Sequence, residues 1–324
     1  MSAILDPAAV AKEYLKNDTY RLQVEQFLKG IIENGVLICD NKGVLLDQTL
    51  KTIINAAKAN TKNKKVEILW NDLIKLKPQK IITAKSGLTL GIDAPVEICS
   101  RLESDAPPDV IITSPDNYNN FYHSCHGQTK LIKFDNYLQS EFEKQRNRFF
   151  MIKPLQDFQL DQRKKLFSKF LRFTKEIRIY DKHIGHANNL SGFLKGINWI
   201  LNLWKDDGYF FNANPKLYIY TADHGINAND RNRLKSDLLD ELSNNFGALS
   251  IKLYLQKLEN SSHFHARYLQ TNSSILLIER GFNFLKDQTG KTVLDTEIAL
   301  KPKSASYLDQ LRDSSQTNEI MESS

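Results

Sequence analysis

The sequence predicts an α/β protein of two domains, and three observations carry that prediction. Short apolar runs alternate with stretches whose apolar residues recur at helical spacing, the pattern of a mainly parallel sheet covered on both faces. At 324 residues with 41% hydrophobic content, the chain is long enough for two cores of ordinary size. The alternation also runs twice, broken near Met151, where "MIKPLQDFQLDQRKKLFSKFLRFTKE" opens with a proline and becomes a basic amphipathic helix. The predicted division is residues 1–150, residues 151–310 and a disordered tail over 311–324, whose "DSSQTNEIMESS" lacks the apolar content of a packed segment.

In the first domain, "YRLQVEQFLKGIIEN" has helical periodicity and stops at Gly35, a residue suited to a helix end. The strand "VLICD" follows, then a glycine turn and the helix "DQTLKTIINAAKA". "PVEICSRLES" reads as a helix, "DVIIT" as a buried strand, "KLIKF" as a strand and "NYLQSEFEKQRNRF" as a helix. The second series runs through strand "IRIYD", helix "NLSGFLKGINWILNLW", strand "KLYIYT", helix "RNRLKSDLLDELSNNF" and strands "SIKLYL" and "SILLIE". No repeat at solenoid spacing occurs.

Charge and cysteine content narrow the function classes. A net charge of +6 from 44 basic and 38 acidic residues is a modest basic bias, which favours a polyanionic partner without resembling a polycation. Three widely spaced cysteines, Cys39, Cys99 and Cys125, do not form a disulfide framework and suit a reducing, cytoplasmic setting. The amino terminus has no signal-peptide core, and no run approaches the roughly 20 apolar residues of a membrane span, so no transmembrane segment is expected.

The first domain carries carboxylates at element ends. "VLICD" closes a buried strand on Asp40, and a carboxylate there points into the crevice where α/β folds bind ligands. Asp47 opens the next helix, Asp93 precedes "PVEICSRLES", and "DVIITSPDNYNNF" delivers Asp116. If the four converge, their repulsion requires a cation, and hard oxygen ligands select Mg²⁺ or Mn²⁺. The competing reading is that they are helix caps and turn residues, a role that suits Asp47 and Asp93 well.

Over roughly residues 20–145 this layout resembles the PIN-domain nucleases, with a first-strand Asp, further acids at helix starts and a late "T-x-D-x-x-[FY]" segment. Here that segment is "TSPDNYNNF", with one extra residue before Asp116. The resemblance implies that Asp40, Asp47, Asp93 and Asp116 hold metal, with Asp40 and Asp116 catalytic in phosphodiester cleavage.

In the second domain, "HFHARYLQTN" places His265 and Arg267 two apart on an extended segment, so both project to one face and Ala266 to the other. An imidazole beside a cation can attack phosphorus or hold a phosphate. The spacing resembles the phospholipase D motif H-x-K-x₄-D followed by G-S-x-N, with Arg267 for the lysine, Asn272 for the aspartate and "GFN" ending on Asn283. It is closer still to the MIT C-terminal domain and its bacterial relatives, which carry one "H-x-R" segment, an early "I-x-D" (here "IRIYDKHIG", with Asp181) and a threonine after the middle strand (here "LYIYTADHG"). That resemblance covers roughly residues 165–290. It implies a phosphate site of His265, Arg267, Asn283 and Asp181. Phospholipase D catalysis pairs two histidine motifs and this chain has one. A catalytic His265 therefore requires a homodimer, or His183 or His186 as partner.

Three other motifs carry weaker expectations: "TADHG" as a zinc segment, "HSCH" as a loop with ligand-like spacing, and Arg163, Lys164 and Lys165 as a solvated helix face or a phosphate contact. Taken together, the sequence predicts a cytoplasmic nuclease-like protein acting on nucleic acid, cleaving in the first domain and binding phosphate in the second. The bacterial resemblance adds an expectation of anti-phage defence, with a protein partner. The alternatives are a non-enzymatic module binding nucleic acid or anionic lipid, and a metal-independent phospholipase D-type nuclease active as a dimer.

Overall fold

The computed structural model describes residues 2–83, 108–124, 129–185, 187–206, 214–223, 226–256, 266–285, 295–302 and 319–322. The chain is α/β and forms two compact units, Met1–Arg148 and Phe149–Ser324.

The first unit is built on five strands, β1 (Ser2–Leu5), β2 (Val36–Cys39), β3 (Ile81–Thr83), β4 (Val110–Thr113) and β5 (Lys130–Lys133), in the order β3-β2-β1-β4-β5. Every pairing is parallel. The sequence reading starts the sheet at Val36, whereas the structure starts it at Ser2, making the first four-residue strand the central one. Its residues are buried, as a strand with two neighbours and two covered faces requires. The helix Asp18–Asn34 returns the chain from β1 to β2; Asn17 caps its start by accepting from the Tyr20 amide, and the Gly35 amide closes its end on the Ile31 carbonyl. One stripe of that helix, Tyr20, Val24, Phe27, Leu28 and Ile31, enters the core, each large side chain contributing about 1.5–3 kcal/mol by burial. The helix Lys64–Lys75, absent from the sequence reading, packs beside it with Trp70 fully buried.

The second unit carries β6 (Lys153–Pro154), β7 (Glu176–Tyr180), β8 (Lys216–Ala222), β9 (Ser250–Gln256), β10 (Arg267–Gln270), β11 (Ile275–Ile278), β12 (Glu297–Lys301) and β13 (Glu319–Glu322). The order is β13-β9-β8-β7-β10-β11-β12-β6. Only β7, β8 and β9 pair in parallel, so this sheet is mixed, not mainly parallel. The reason is local: β10 and β11 are joined by the tight turn 271–274, closed by the Thr271 amide on the Ser274 carbonyl at 2.8 Å, and so short a connection allows only an antiparallel pair.

Helices cover one face of this sheet. Phe167, Phe193, Ile197, Ile200 and Trp204 pack there against Ile177, Ile179 and Leu217. The other face carries tyrosines, with Tyr220 stacked between Tyr180 and Tyr254 at 4.7 and 4.8 Å. The helix expected over "RNRLKSDLLDELSNNF" forms as Ala228–Arg233 and Glu241–Asn245 joined by a π-helical segment, Leu234–Asp240. The tail expectation needs one correction: Glu319–Glu322 form β13, antiparallel to β9, because that edge strand offers backbone groups that a short polar segment can pair with. Among the described residues no helix is long and apolar enough to cross a membrane.

Candidate functional site

The order β3-β2-β1-β4-β5 reverses direction between β1 and β4, and the crevice outside the carboxyl ends of those strands is where doubly wound sheets bind ligands. β1 delivers Asp6 there. Asp6 is fully buried and held on three sides: Oδ1 accepts from the Ala8 amide at 3.0 Å, and Oδ2 from the Thr113 hydroxyl at 2.8 Å and the Asn117 amide group at 3.1 Å. All three partners are neutral dipoles. β4 delivers Thr113 and then Ser114, whose hydroxyl accepts from the Asn117 amide and shapes the turn that carries Asp116.

Asp116 is exposed and accepts a hydrogen bond from the Tyr14 hydroxyl at 2.5 Å. Burial first, and then Asp116, push the Tyr14 phenol above its ordinary pKa, so Tyr14 stays a donor to the carboxylate. The Tyr14 ring stacks on Tyr20 at 5.4 Å, and Tyr20 is anchored through its hydroxyl to the Ala9 carbonyl.

Of the other carboxylates expected at a metal site, Asp40 and Asp47 are among the described residues. Asp40 ends β2, not the first strand, and both its oxygens are committed to the helix Val44–Ala59, accepting from the Val44 and Leu45 amides at 2.9 Å each. It is a helix cap, as the competing reading allowed. Asp47 lies on the exposed side of that helix. Asp93 lies outside the described residues. Cys39, next to Asp40, is buried and free, and burial raises its thiol pKa, which leaves it no character of a nucleophile. Among the described residues no group of three or more His, Cys, Asp or Glu side chains gathers to hold a metal ion. Two aspartates with a hydroxyl beside them suit Mg²⁺, which commonly takes one or two protein carboxylates and completes its shell with water and substrate phosphate.

In the second unit β7 delivers Asp181 at its carboxyl end and β10 brings Arg267 beside it, at 3.7 Å between Nε and Oδ1. The His183 amide donates to Asp181 at 3.0 Å, and Arg267 Nη1 donates to the Glu279 carbonyl at 2.9 Å. Burial raises the Asp181 pKa, opposed by the His183 and Phe282 amides and by Arg267. Gly281 completes the cluster with φ at +77°; a Cβ there would stand 2.5 Å from Asp181 Oδ2. Asn283 comes from the same turn, and its side chain lies against Gly192 of the helix Ala187–Asp206.

Thus Asp181 and Arg267 are brought together, with Asn283 on the turn beside them. Asn272 is not part of the group: its side-chain oxygen accepts from the Lys175 and Glu176 amides, at the opposite end of β7. His265 and His186 lie outside the described residues.

The remaining motifs resolve individually. Asp223 of "TADHG" pairs with Arg231, both oxygens within 3.1 Å of Nη2, while His224 lies outside the described residues. His123 of "HSCH" sits edge-on to Tyr122, and His126 lies outside the described residues. Arg163 is buried in the second unit, not set on a solvated face, whereas Lys164 and Lys165 are exposed.

Sequence reasoning missed Asp6, although an apolar run closing on Asp-Pro was there to find. It also missed Tyr14, whose pairing across more than a hundred residues no spacing reveals. Searches against protein-family models and against curated proteins return no match to this chain.

Proposed function

We propose that the first unit cleaves phosphodiester bonds of nucleic acid at the carboxyl ends of β1 and β4, and that the second recognises phosphate. One observation carries this reading: the buried Asp6 carboxylate at the switch point is held by three neutral donors, with no cation among its partners in the described residues and with Asp116 on the adjoining turn. The likeness to PIN nucleases supports it with one shift, the first-strand acid being Asp6 instead of Asp40. Asp6 and Asp116 would hold Mg²⁺ or Mn²⁺, which when bound neutralises phosphate charge and lowers the pKa of water. Thr113 and Asn117 fix the direction of Asp6, and Tyr14 fixes Asp116, so the carboxylates are oriented before substrate arrives. In hydrolysis, water adds to phosphorus as the ester P–O bond breaks, and the leaving oxygen takes a proton.

The test is cleavage of labelled RNA and DNA oligonucleotides by the purified chain with Mn²⁺, Mg²⁺ or EDTA. Cleavage is expected with metal, to stop in EDTA, and to fall by roughly 100-fold or more in Asp6→Asn and Asp116→Asn, the scale of several kcal/mol of lost charge stabilisation. Asn suits the Asp6 site, because the Thr113 hydroxyl and the Asn117 amide can each reverse their hydrogen bond to it. Undiminished cleavage by Asp6→Asn overturns the assignment. Cleavage that resists EDTA and disappears in His265→Ala moves catalysis to the second unit.

A further inference from the structure

The turn that carries Asp116 and Asn117 leads at once into the short helix Tyr118–Ser124. Phe121 is fully buried and pins that helix to its unit. Tyr118 and Tyr122, one turn apart on the helix, stack their rings at 6.3 Å with 20° between planes. Tyr122 is 64% exposed, the most open large hydrophobic side chain among the described residues. Lys133, the last residue of β5 and so at the same carboxyl edge, places its ammonium 4.6 Å above the Tyr118 ring. Tyr118 is half-buried, whereas the Tyr122 side of the pair lies open to water and forgoes the burial that rings ordinarily gain. Beside the carboxylates the pair forms a flat, cation-flanked surface.

We propose that Tyr122, backed by Tyr118 and flanked by Lys133, stacks an unpaired nucleobase of the substrate, with Lys133 contacting the neighbouring phosphate. The substrate class is therefore single-stranded nucleic acid. This inference rests on the reading of the first unit as a nucleic-acid phosphodiesterase and narrows it. The chemistry decides between strand forms: in a duplex each base already stacks on its neighbours, whereas a single strand presents open π-faces to aromatic side chains. Every base has such a face, so the platform selects strandedness and tolerates any sequence. Tyr118 follows Asp116 by two residues, which ties the platform to the turn that carries that carboxylate.

The experiment measures binding of fluorescein-labelled 12-nucleotide single strands, and of the corresponding duplexes, by anisotropy. The full chain is used in EDTA, with thermal melts to confirm folding of each variant. Tyr122→Ala is expected to weaken single-strand binding by about 10- to 100-fold. Tyr122→Trp should restore binding to within a few-fold of the parent, and duplex affinity should change less than about twofold in both variants. Lys133→Gln should lower the log–log salt slope on single strands by about 0.7, the loss of one phosphate contact.

Single-strand affinity equal to the parent in Tyr122→Ala overturns the proposal. So does an equal loss on duplex, or a parent chain that binds no single strand. Failure of the cleavage reading is separately visible: a parent that cleaves nothing with metal, but whose single-strand binding falls in Tyr122→Ala, keeps the platform and loses the nuclease.

Discussion

The two units each bury an aspartate at the carboxyl end of an interior parallel strand, and they answer its charge in opposite ways. Asp6 is held by a backbone amide, a hydroxyl and a carboxamide, with no cation among its partners in the described residues. Asp181 faces the Arg267 guanidinium and two backbone amides. Dipoles orient a carboxylate and leave its charge open to a cation from outside. An arginine answers it from within the fold, and the Gly281 turn closes against the pair. The same strand end thus carries a carboxylate answered by dipoles in one unit and by an arginine in the other.

The comparison is broken or sharpened most strongly by removing the partners. Arg267→Ala strands a buried carboxylate and should cost the second unit about 2–4 kcal/mol, with Asp181→Asn/Arg267→Ala recovering part of it. Asp6→Asn, whose partners can turn round, should cost no more than about 1 kcal/mol. Urea unfolding of the variants measures both. Equal costs would erase the distinction between the two aspartates.

A pH series probes it more gently. The Asp181 pKa is raised chiefly by burial, so the folded chain holds this proton more tightly than the unfolded one. The resulting stability is fully present below the unfolded value, near 4, and is lost as pH rises through the folded value. Stability of the wild type relative to Asp181→Asn should therefore fall as pH rises from about 4. A flat difference would show that Asp181 titrates alike in both states.

The smallest effect concerns aim. Tyr14→Phe removes the hydrogen bond to Asp116 without touching the buried acid. Turnover should drop by about 0.5–1.5 kcal/mol in the kcat term, with single-strand affinity unchanged. A change confined to KM would instead make Tyr14 a contact for substrate.

Much of this architecture was legible in the sequence, and the gaps have physical causes. The helices Asp18–Asn34 and Ala187–Asp206 announce themselves because each keeps one apolar stripe for several turns. β1 escaped notice because a four-residue strand with three apolar side chains holds too few periods to separate strand from lead-in. That loss led the reading of a strand-end acid past Asp6 to Asp40, which caps the helix Val44–Ala59. Asp181 and Arg267 were both named from motifs, yet their contact depends on the register of β7 against β10, which sequence separation does not encode. Tyr118 stood in the segment quoted for Asp116 and Tyr122 follows it directly; their helical spacing was visible, but the exposure of Tyr122 that gives it meaning was not.

The central place of β1 also sets the order in which the first unit comes together. Ser2 bonds through its amide and hydroxyl to Asp109, a separation of 107 residues, and the β1–β4 ladder continues from there. A parallel sheet whose middle strand is made first cannot close until the chain carrying its far neighbour has been synthesised. At ordinary rates of synthesis that interval is on the order of 5–20 seconds. Through it the helix Asp18–Asn34 can form transiently on local contacts, while Ser2–Leu5 has only β2 to pair with and its other edge stays open. The acid that anchors the candidate site is therefore made before the strand that supplies its Thr113 partner, and is enclosed only when that strand arrives.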